Sequence, residues 1–448
     1  MKQASDDTGH RPARFTLLLF ACSLVVYNLN FQRIASGDTL PASLLPFSIL
    51  LDRTVNLDFF YPAVREHVPQ HLRALPIVSG HAYSEYPIAL PILLTPLYVP
   101  AAVYVTAAGW SPAQVMVLAG VLEKLTASLI AAGSVALFYL LAVRLADEKR
   151  ARWLAILYGF GTATWTISSQ ALWQHGGSQV AIILALFFLD RLRECADDRQ
   201  AALLTGLFAG LSAAIRPTNI LFVAAAFTGL LASSRRVRLM AAFWLFPVLA
   251  GVVTVAYNVG VFGAVQGAPA LSFDGNLWRG LAGVLFSPAR GLFVYSPVLL
   301  FFVAGVFFLF RRRKWPAQPV YLAALVFAVS QVVLIATWRV WWGGHCYGPR
   351  LLSDALPAFV VLMAPATETI FRSRTLRAVF VVLLTFSIFV QAVGAFCYSA
   401  SMWDEKPVNI GERPSRLWDW TDNPISRSVK AGPRLGPIVD ILDRLRSG

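Results

Sequence analysis

Long apolar runs, each closed by a short loop carrying Lys or Arg, leave few folds open to this chain. Stretches such as 118–143, 240–261 and 378–400 meet the roughly 20 apolar residues needed to cross a hydrocarbon core. In lipid every backbone polar group must find its partner within the protein, so repeated runs of this length are helices packed side by side. Composition agrees: 57% of the 448 residues are hydrophobic and 14% are charged, against roughly 25% charged in a soluble domain. A soluble multidomain enzyme, a secreted disulfide module and a disordered chain are excluded. The fold class is an all-α polytopic membrane protein.

A net charge of +14 usually points to nucleic acid. Here it marks topology, because the basic residues gather in short loops as they do on the cytoplasmic side of a membrane. Cys22, Cys195, Cys346 and Cys397 are scattered, with no spacing suited to zinc or a disulfide frame. The first apolar run follows Arg11 and Arg14, without a cleavage site, and reads as a retained signal anchor with a cytoplasmic N-terminus.

Charge parity predicts eleven spans. The first is 15–32, followed by a long outer segment in which "PASLLPFSILL" and "LDFFYPAVREHV" read as short surface helices. The run 86–108 carries Pro87, Pro91, Pro96 and Pro100, each of which removes a helical hydrogen bond. A full crossing there would put the basic loop Arg144–Arg152 outside, so the run is expected to be re-entrant or juxtamembrane. Further spans are expected at 118–143, 153–173, 177–190, a hairpin of two short helices over 201–232, 240–261, 291–310, 318–338, 353–370 and 378–400. The domain division is a membrane domain over 1–400, with 33–110 as its outer loop and re-entrant segment, and a small extracytoplasmic tail over 401–448. No repeat of fixed period appears, which counts against a transporter built from duplicated halves.

Four outward clusters carry chemistry that the membrane does not require. Asp38 lies in "SGDTLP"; Gln174 and His175 lie in "WQHGG"; Arg216 stands at the hairpin turn "RPTN". The fourth joins Arg290 in "FSPARGLF" with Arg339, Trp342, His345, Tyr347 and Arg350 in "WRVWWGGHCYGPRLL". Each has a plainer reading. Asp38 could cap a helix, His175 could pack under Trp173, Arg216 could snorkel to headgroups, and Arg290 and Arg350 could pair with Asp274 or Asp354. Three arginines on an outer face otherwise short of acids suit an anion, since the planar guanidinium matches phosphate. One nearby acid would serve as general base for a hydroxyl acceptor, with Asp38 first and Asp58 and Glu85 in reserve. Tyr86, Gln174, His175, Trp342, His345 and Tyr347 are the expected cavity lining.

The layout resembles the GT-C membrane glycosyltransferases, in particular the branch holding protein O-mannosyltransferases and lipid A aminoarabinose transferases. "SGDTLP" looks like that family's first-loop acid motif, "YSEYPIALP" is similar to its aromatic–Pro juxtamembrane motif, and "LSAAIRPTNILF" takes the place of its basic hairpin turn. There are departures: the usual Asp-Glu pair is Asp38-Thr39, the second acid is replaced by His175, and the lysine before the proline element is Glu85. The resemblance implies an inverting transferase of the bacterial inner membrane. It would use a polyprenyl-phosphate-linked sugar donor and a glycan, lipid or protein acceptor on the extracytoplasmic face, with Asp38 as base and Arg216, Arg290 and Arg350 on the donor phosphate. It leaves a divalent metal open and implies contact with membrane lipid but not nucleic acid. A lipid or glycan transporter and a non-catalytic partner in envelope assembly are the competing classes, separated from the first by sugar transfer in vitro.

Overall fold

The computed structural model describes residues 7–268, 272–311, 318–434 and 436. The basic run Arg312, Arg313 and Lys314, expected to close one span on the inner side, lies outside them.

The first helix, α1 (Asp7–Asn28), packs antiparallel on the 34-residue α5 (Pro112–Leu145). Phe15 meets Tyr139 at one end, with ring centroids 4.9 Å apart, and Lys124 Nζ donates to the Tyr27 carbonyl at the other, 2.7 Å away. Residues 112–123 of α5 therefore run on past the end of α1. This projecting part carries an outer layer made of α2 (Leu40–Phe47), α3 (Tyr61–His67) and α4 (Ala89–Ala107). Its hydrophobic core is separate from that of the bundle and includes Leu44, Phe47, Phe60, Leu90 and Tyr98 with Val115 and Ala119 of α5. The surface helices expected in the first outer segment are α2 and α3. A two-stranded hairpin, β1 (Ile77–Val78) and β2 (His81–Ala82), completes the layer.

The run 86–108 differs from expectation in its backbone. Instead of irregular structure, 19 of its residues form the continuous α4, with Pro96 and Pro100 inside. Among the described residues six helices are long and apolar enough to cross a membrane, α4 among them. Yet both ends of α4 lie at the same end of the bundle, the one where α5 projects past α1. Leu90 abuts Gly177 beside the site, and Ala107 leads through four residues to the projecting start of α5.

Irregular backbone appears instead inside the bundle, where a continuous span over 153–173 was expected. There α6 (Glu148–Phe160) ends at Gly161, and one π-turn (Thr164–Ser168) follows. Buried side chains satisfy this segment: Thr166 donates to Gln391 (2.7 Å), and Gln170 receives Lys124 (2.8 Å) and Asn30 (2.7 Å). Non-helical backbone at such depth survives only when packed in protein. The expected span 291–310 is likewise broken, into α12 (Leu292–Tyr295), a 3-10 turn (Pro297–Leu300) and α13 (Phe301–Arg311), because Pro297 cannot donate to the ladder.

The remaining bundle helices are α7 (Gln174–Arg191), α8 (Arg199–Ile215), α9 (Ile220–Ser233), α10 (Val237–Phe262), α14 (Pro319–Thr337), α15 (Leu356–Arg372) and α16 (Arg374–Ser401). A short α11 (Leu277–Phe286), not expected from the sequence, packs on α14. The pair α8 and α9 is the expected hairpin, turning at Arg216–Asn219. Helix α8 meets α10 almost backbone to backbone. A Cβ on Gly206 would sit 2.0 Å from the Phe243 carbonyl, and one on Gly210 would be 2.9 Å from Pro247. Small residues four apart permit this approach. Beyond the last span, the tail is seated in the bundle end: Trp403 is fully buried and Trp418 packs on Trp341 at 5.9 Å.

Candidate active site

A cavity of about 990 Å³ opens between the outer layer and the α8–α10 pair. Its long wall is apolar, with Leu207, Leu211 and Ala214 of α8 facing Trp244 and Val248 of α10 and Ile92 of α4. One end is polar, formed by Asp38, Glu85, Tyr86, Gln174, His175, Arg216 and Arg350.

Asp38 is held by a 3-10 turn (Gly37–Thr39) that Ser36 caps, its Oγ accepting from the Asp38 amide at 3.2 Å. The cap of this turn is therefore Ser36, and the Asp38 carboxylate is left to face the cavity. Tyr86 donates its phenol to Asp38 Oδ1 at 2.7 Å, and Arg350 Nη1 donates to Oδ2 at 2.6 Å. Burial pushes the Asp38 carboxyl up, but the Arg350 charge and these two hydrogen bonds outweigh it and hold the group below the usual carboxylate range. Glu85, in the same wall, lacks such an arginine and is pushed up by burial, with Asp38 adding to the rise against Arg73.

Arg350 follows Pro349 at the start of a 3-10 turn (Arg350–Ala355). Besides Asp38 it reaches the Gly343 carbonyl through Nη2 at 2.7 Å, and its guanidinium lies 4.3 Å from the Trp173 ring centroid. Arg216, at the hairpin turn, donates from Nε to Thr218 Oγ1 at 3.0 Å, forms an ion pair with Asp354, whose Oδ2 lies 3.0 Å from the same Nε, and places Nη1 2.8 Å from His175 Nε2. His175 Nδ1 in turn lies 3.1 Å from Asp354 Oδ2. A neutral ring with its proton on Nδ1 satisfies both neighbours, donating to the carboxylate and accepting from the guanidinium. Arg216 thus does not snorkel, and His175 is part of a buried Asp–His–Arg cluster. The second carboxylate oxygen, Asp354 Oδ1, has no hydrogen-bond partner.

Asp354 was foreseen only as a structural counter-ion to Arg290 or Arg350; its partner is Arg216. The signal was present, since "LLSDALP" places an acid inside an apolar stretch, and an acid at such depth is a site hypothesis by default.

Several expected residues stand elsewhere. Arg290 is 1% exposed, does not line the cavity and pairs with Asp404 at 2.6 Å; three more of its donors serve backbone carbonyls, so it is committed away from any phosphate in the cavity. The expected convergence of three guanidinium groups is therefore a pair. Asp58 ties the β-hairpin, accepting from the Ala82 amide at 2.7 Å and contacting His81 at 2.6 Å. Tyr347 is buried against Tyr295 and donates to the Val390 carbonyl at 2.9 Å. Trp342 packs on the bundle core, and His345 is exposed, 3.4 Å from Asn409.

Among the described residues no three His, Cys, Asp or Glu side chains converge on a point. Of the two carboxylates at the cavity end, Asp38 is matched to Arg350, and Glu85 stands without an ion-pair partner among the described residues. This donor set does not fit a divalent ion.

No protein-family model matches the sequence, and no curated protein matches it significantly. Solved structures do. ArnT from Cupriavidus metallidurans bound to undecaprenyl phosphate superposes with a TM-score of 0.55 at 13% identity, over 97% of this chain and 73% of that one. The same protein in its apo state gives 0.51 at 12% identity, over 88% and 79%. The chain has the GT-C fold. It is a multi-pass membrane protein built on the same helical plan, and at this identity the likeness speaks for the plan alone. Within the GT-C bundle the cavity lies between the first outer segment and the α8–α10 pair.

Proposed function

We propose that the protein is an inverting glycosyltransferase of the bacterial inner membrane, using a polyprenyl-phosphate-linked sugar on the extracytoplasmic face. One observation carries this reading: a single cavity joins a long apolar wall to an end holding two guanidinium groups and an acid. An isoprenoid chain lies along α8 and α10, where burying apolar surface favours it by about 25 cal/mol per Å². Arg216 and Arg350 meet the phosphate. The acceptor, a glycan, lipid or protein hydroxyl, enters beside Asp38.

In the reaction the acceptor oxygen forms a bond to the anomeric carbon as its proton passes to Asp38. The bond from that carbon to the phosphate oxygen breaks, and polyprenyl phosphate leaves with the electron pair. The negative charge on the leaving oxygen grows through the step, and two preorganised guanidinium groups counter it most where it is largest. Arg350 has a double role. In the resting site it neutralises Asp38; an arriving phosphate competes for it and releases the carboxylate to act as base.

Incubating the purified full-length protein with a radiolabelled polyprenyl-phosphate sugar and an envelope extract tests the reading. Label is expected to move to the acceptor, with Asp38→Asn inactive. Donor binding without transfer in any fraction would support a non-catalytic partner instead, and label carried unchanged across a vesicle membrane would support a transporter.

A further inference from the structure

Arg290, left outside the cavity, touches the same turn as Arg350. The turn Trp342–Gly343–Gly344 presents three successive carbonyls. Arg290 donates from Nε to Trp342 O (3.1 Å) and from Nη2 to Gly344 O (3.0 Å), while Arg350 Nη2 takes Gly343 O between them (2.7 Å). The alternation depends on left-handed backbone at both glycines, φ 72° and 69°, a conformation that side chains with a Cβ resist. Arg290 is itself fixed from the tail. Asp404 accepts from its Nη2 at 2.6 Å, and Trp403 lies under its guanidinium at 5.5 Å. Arg416 covers the same Trp403 ring at 4.6 Å and donates to the Trp403 carbonyl at 2.9 Å.

We infer that Arg290 is a positioning residue for the anion site: gripped by Asp404, it orients the 342–344 turn so that the Gly343 carbonyl aims Arg350 into the cavity. The C-terminal tail then belongs to the site without touching substrate. A guanidinium is needed for this, because its fork spans two carbonyls and a carboxylate at once, whereas an ammonium keeps the charge without that geometry. The inference rests on the reading of Arg350 as a phosphate ligand.

A double-mutant cycle on the full-length protein in detergent tests it, reading the affinity for a long-chain polyprenyl monophosphate alongside thermal unfolding. Arg290→Lys is expected to weaken binding by about three- to tenfold, and Asp404→Asn to do the same. In an Arg350→Ala background neither should weaken it further, because the group they orient is gone. Equal losses in both backgrounds, or no loss in either, would overturn the inference and leave the proposed function standing. If Arg290→Lys does not fold, Asp404→Asn takes its place in the cycle. If neither folds, Arg290 is a stability residue and the inference fails. Absence of binding by the unmodified protein would remove the phosphate-site reading together with this one.

Discussion

Asp38 and Arg350 neutralise each other across 2.6 Å in a half-buried setting, and this makes the outcome of changing either one specific. Asp38→Asn keeps the shape and removes the base, so transfer is expected to fall by roughly 100-fold or more. Donor binding should move the other way and tighten, since Arg350 no longer has a carboxylate to leave. Without ligand the variant should lose stability by about 1–2 kcal/mol, between the ~0–1 of an exposed pair and the ~3–5 of a fully buried one. Adding polyprenyl phosphate should restore it, as differential melting would record. Weaker donor binding in this variant would count against the exchange. Glu85 offers a pH test. Its folded value lies above the ordinary 4.5, chiefly through burial. Between those values the folded chain holds a proton that the unfolded chain gives up, so this contribution is present at low pH and lost as pH rises through the window. Melting temperatures followed upward from about pH 4.5 should show that loss in the parent and a flatter profile in Glu85→Gln. Asp38 and Glu85 were both legible in the sequence as acids of an outer loop. That one would be paired with Arg350 and the other left without an ion-pair partner was not, because the pairing spans more than 300 positions of chain.

The α8–α10 contact turns two glycines into the width of a groove. Side chains at Gly206 or Gly210 would meet the α10 backbone at Phe243 and Pro247, and α10 has little else to hold it, with Leu239, Ala242 and Phe243 as its buried residues. Gly206→Val should therefore push α10 outward at a cost of about 1–3 kcal/mol, the range for overpacking. It should also weaken donor binding more than Gly251→Val on the same α10, where a Cβ meets nothing within 4 Å. Equal effects of the two changes on lipid affinity would detach the groove from this contact. At the same scale α4 shows the limit of reading by residue type. Four prolines suggested broken backbone, but Pro87 and Pro91 fall before the helix and in its first turn, where no amide is missed. The other two, Pro96 and Pro100, lie on the exposed face of the helix, whose opposite face packs on α2 and α5. In the region 162–173 no proline warned of the break; its cause is a set of buried polar side chains that replace the helical ladder.

For the whole molecule, charge parity and geometry give one orientation that labelling can check. Arg152 stacks on Phe15 at 4.5 Å and Arg144 pairs with Asp190 at 2.8 Å, gathering the basic loops at the end of the bundle opposite the cavity. Single cysteines near Lys149, Arg193 and Arg374 should react only from the cytoplasmic side, and those near Glu85, His345 and Trp418 only from outside. Labelling of a cysteine at Lys149 from outside would reverse the placement of α4. The helical membrane architecture was readable without coordinates, because the low dielectric of lipid writes itself on composition: apolar runs of fixed length, with basic residues at one set of their ends. The Arg216 hairpin, formed by α8 and α9, followed from the same rule. Which polar residues meet was decided by tertiary structure alone. Arg216, Asp354 and His175 come from three separate turns, and Arg290 and Arg350 look alike in sequence, each beside glycine and proline. One faces a cavity and the other is consumed by Asp404 and three carbonyls. Local sequence sets a side chain's chemistry, but its free hydrogen-bonding capacity depends on partners that only the packed chain brings within 3 Å.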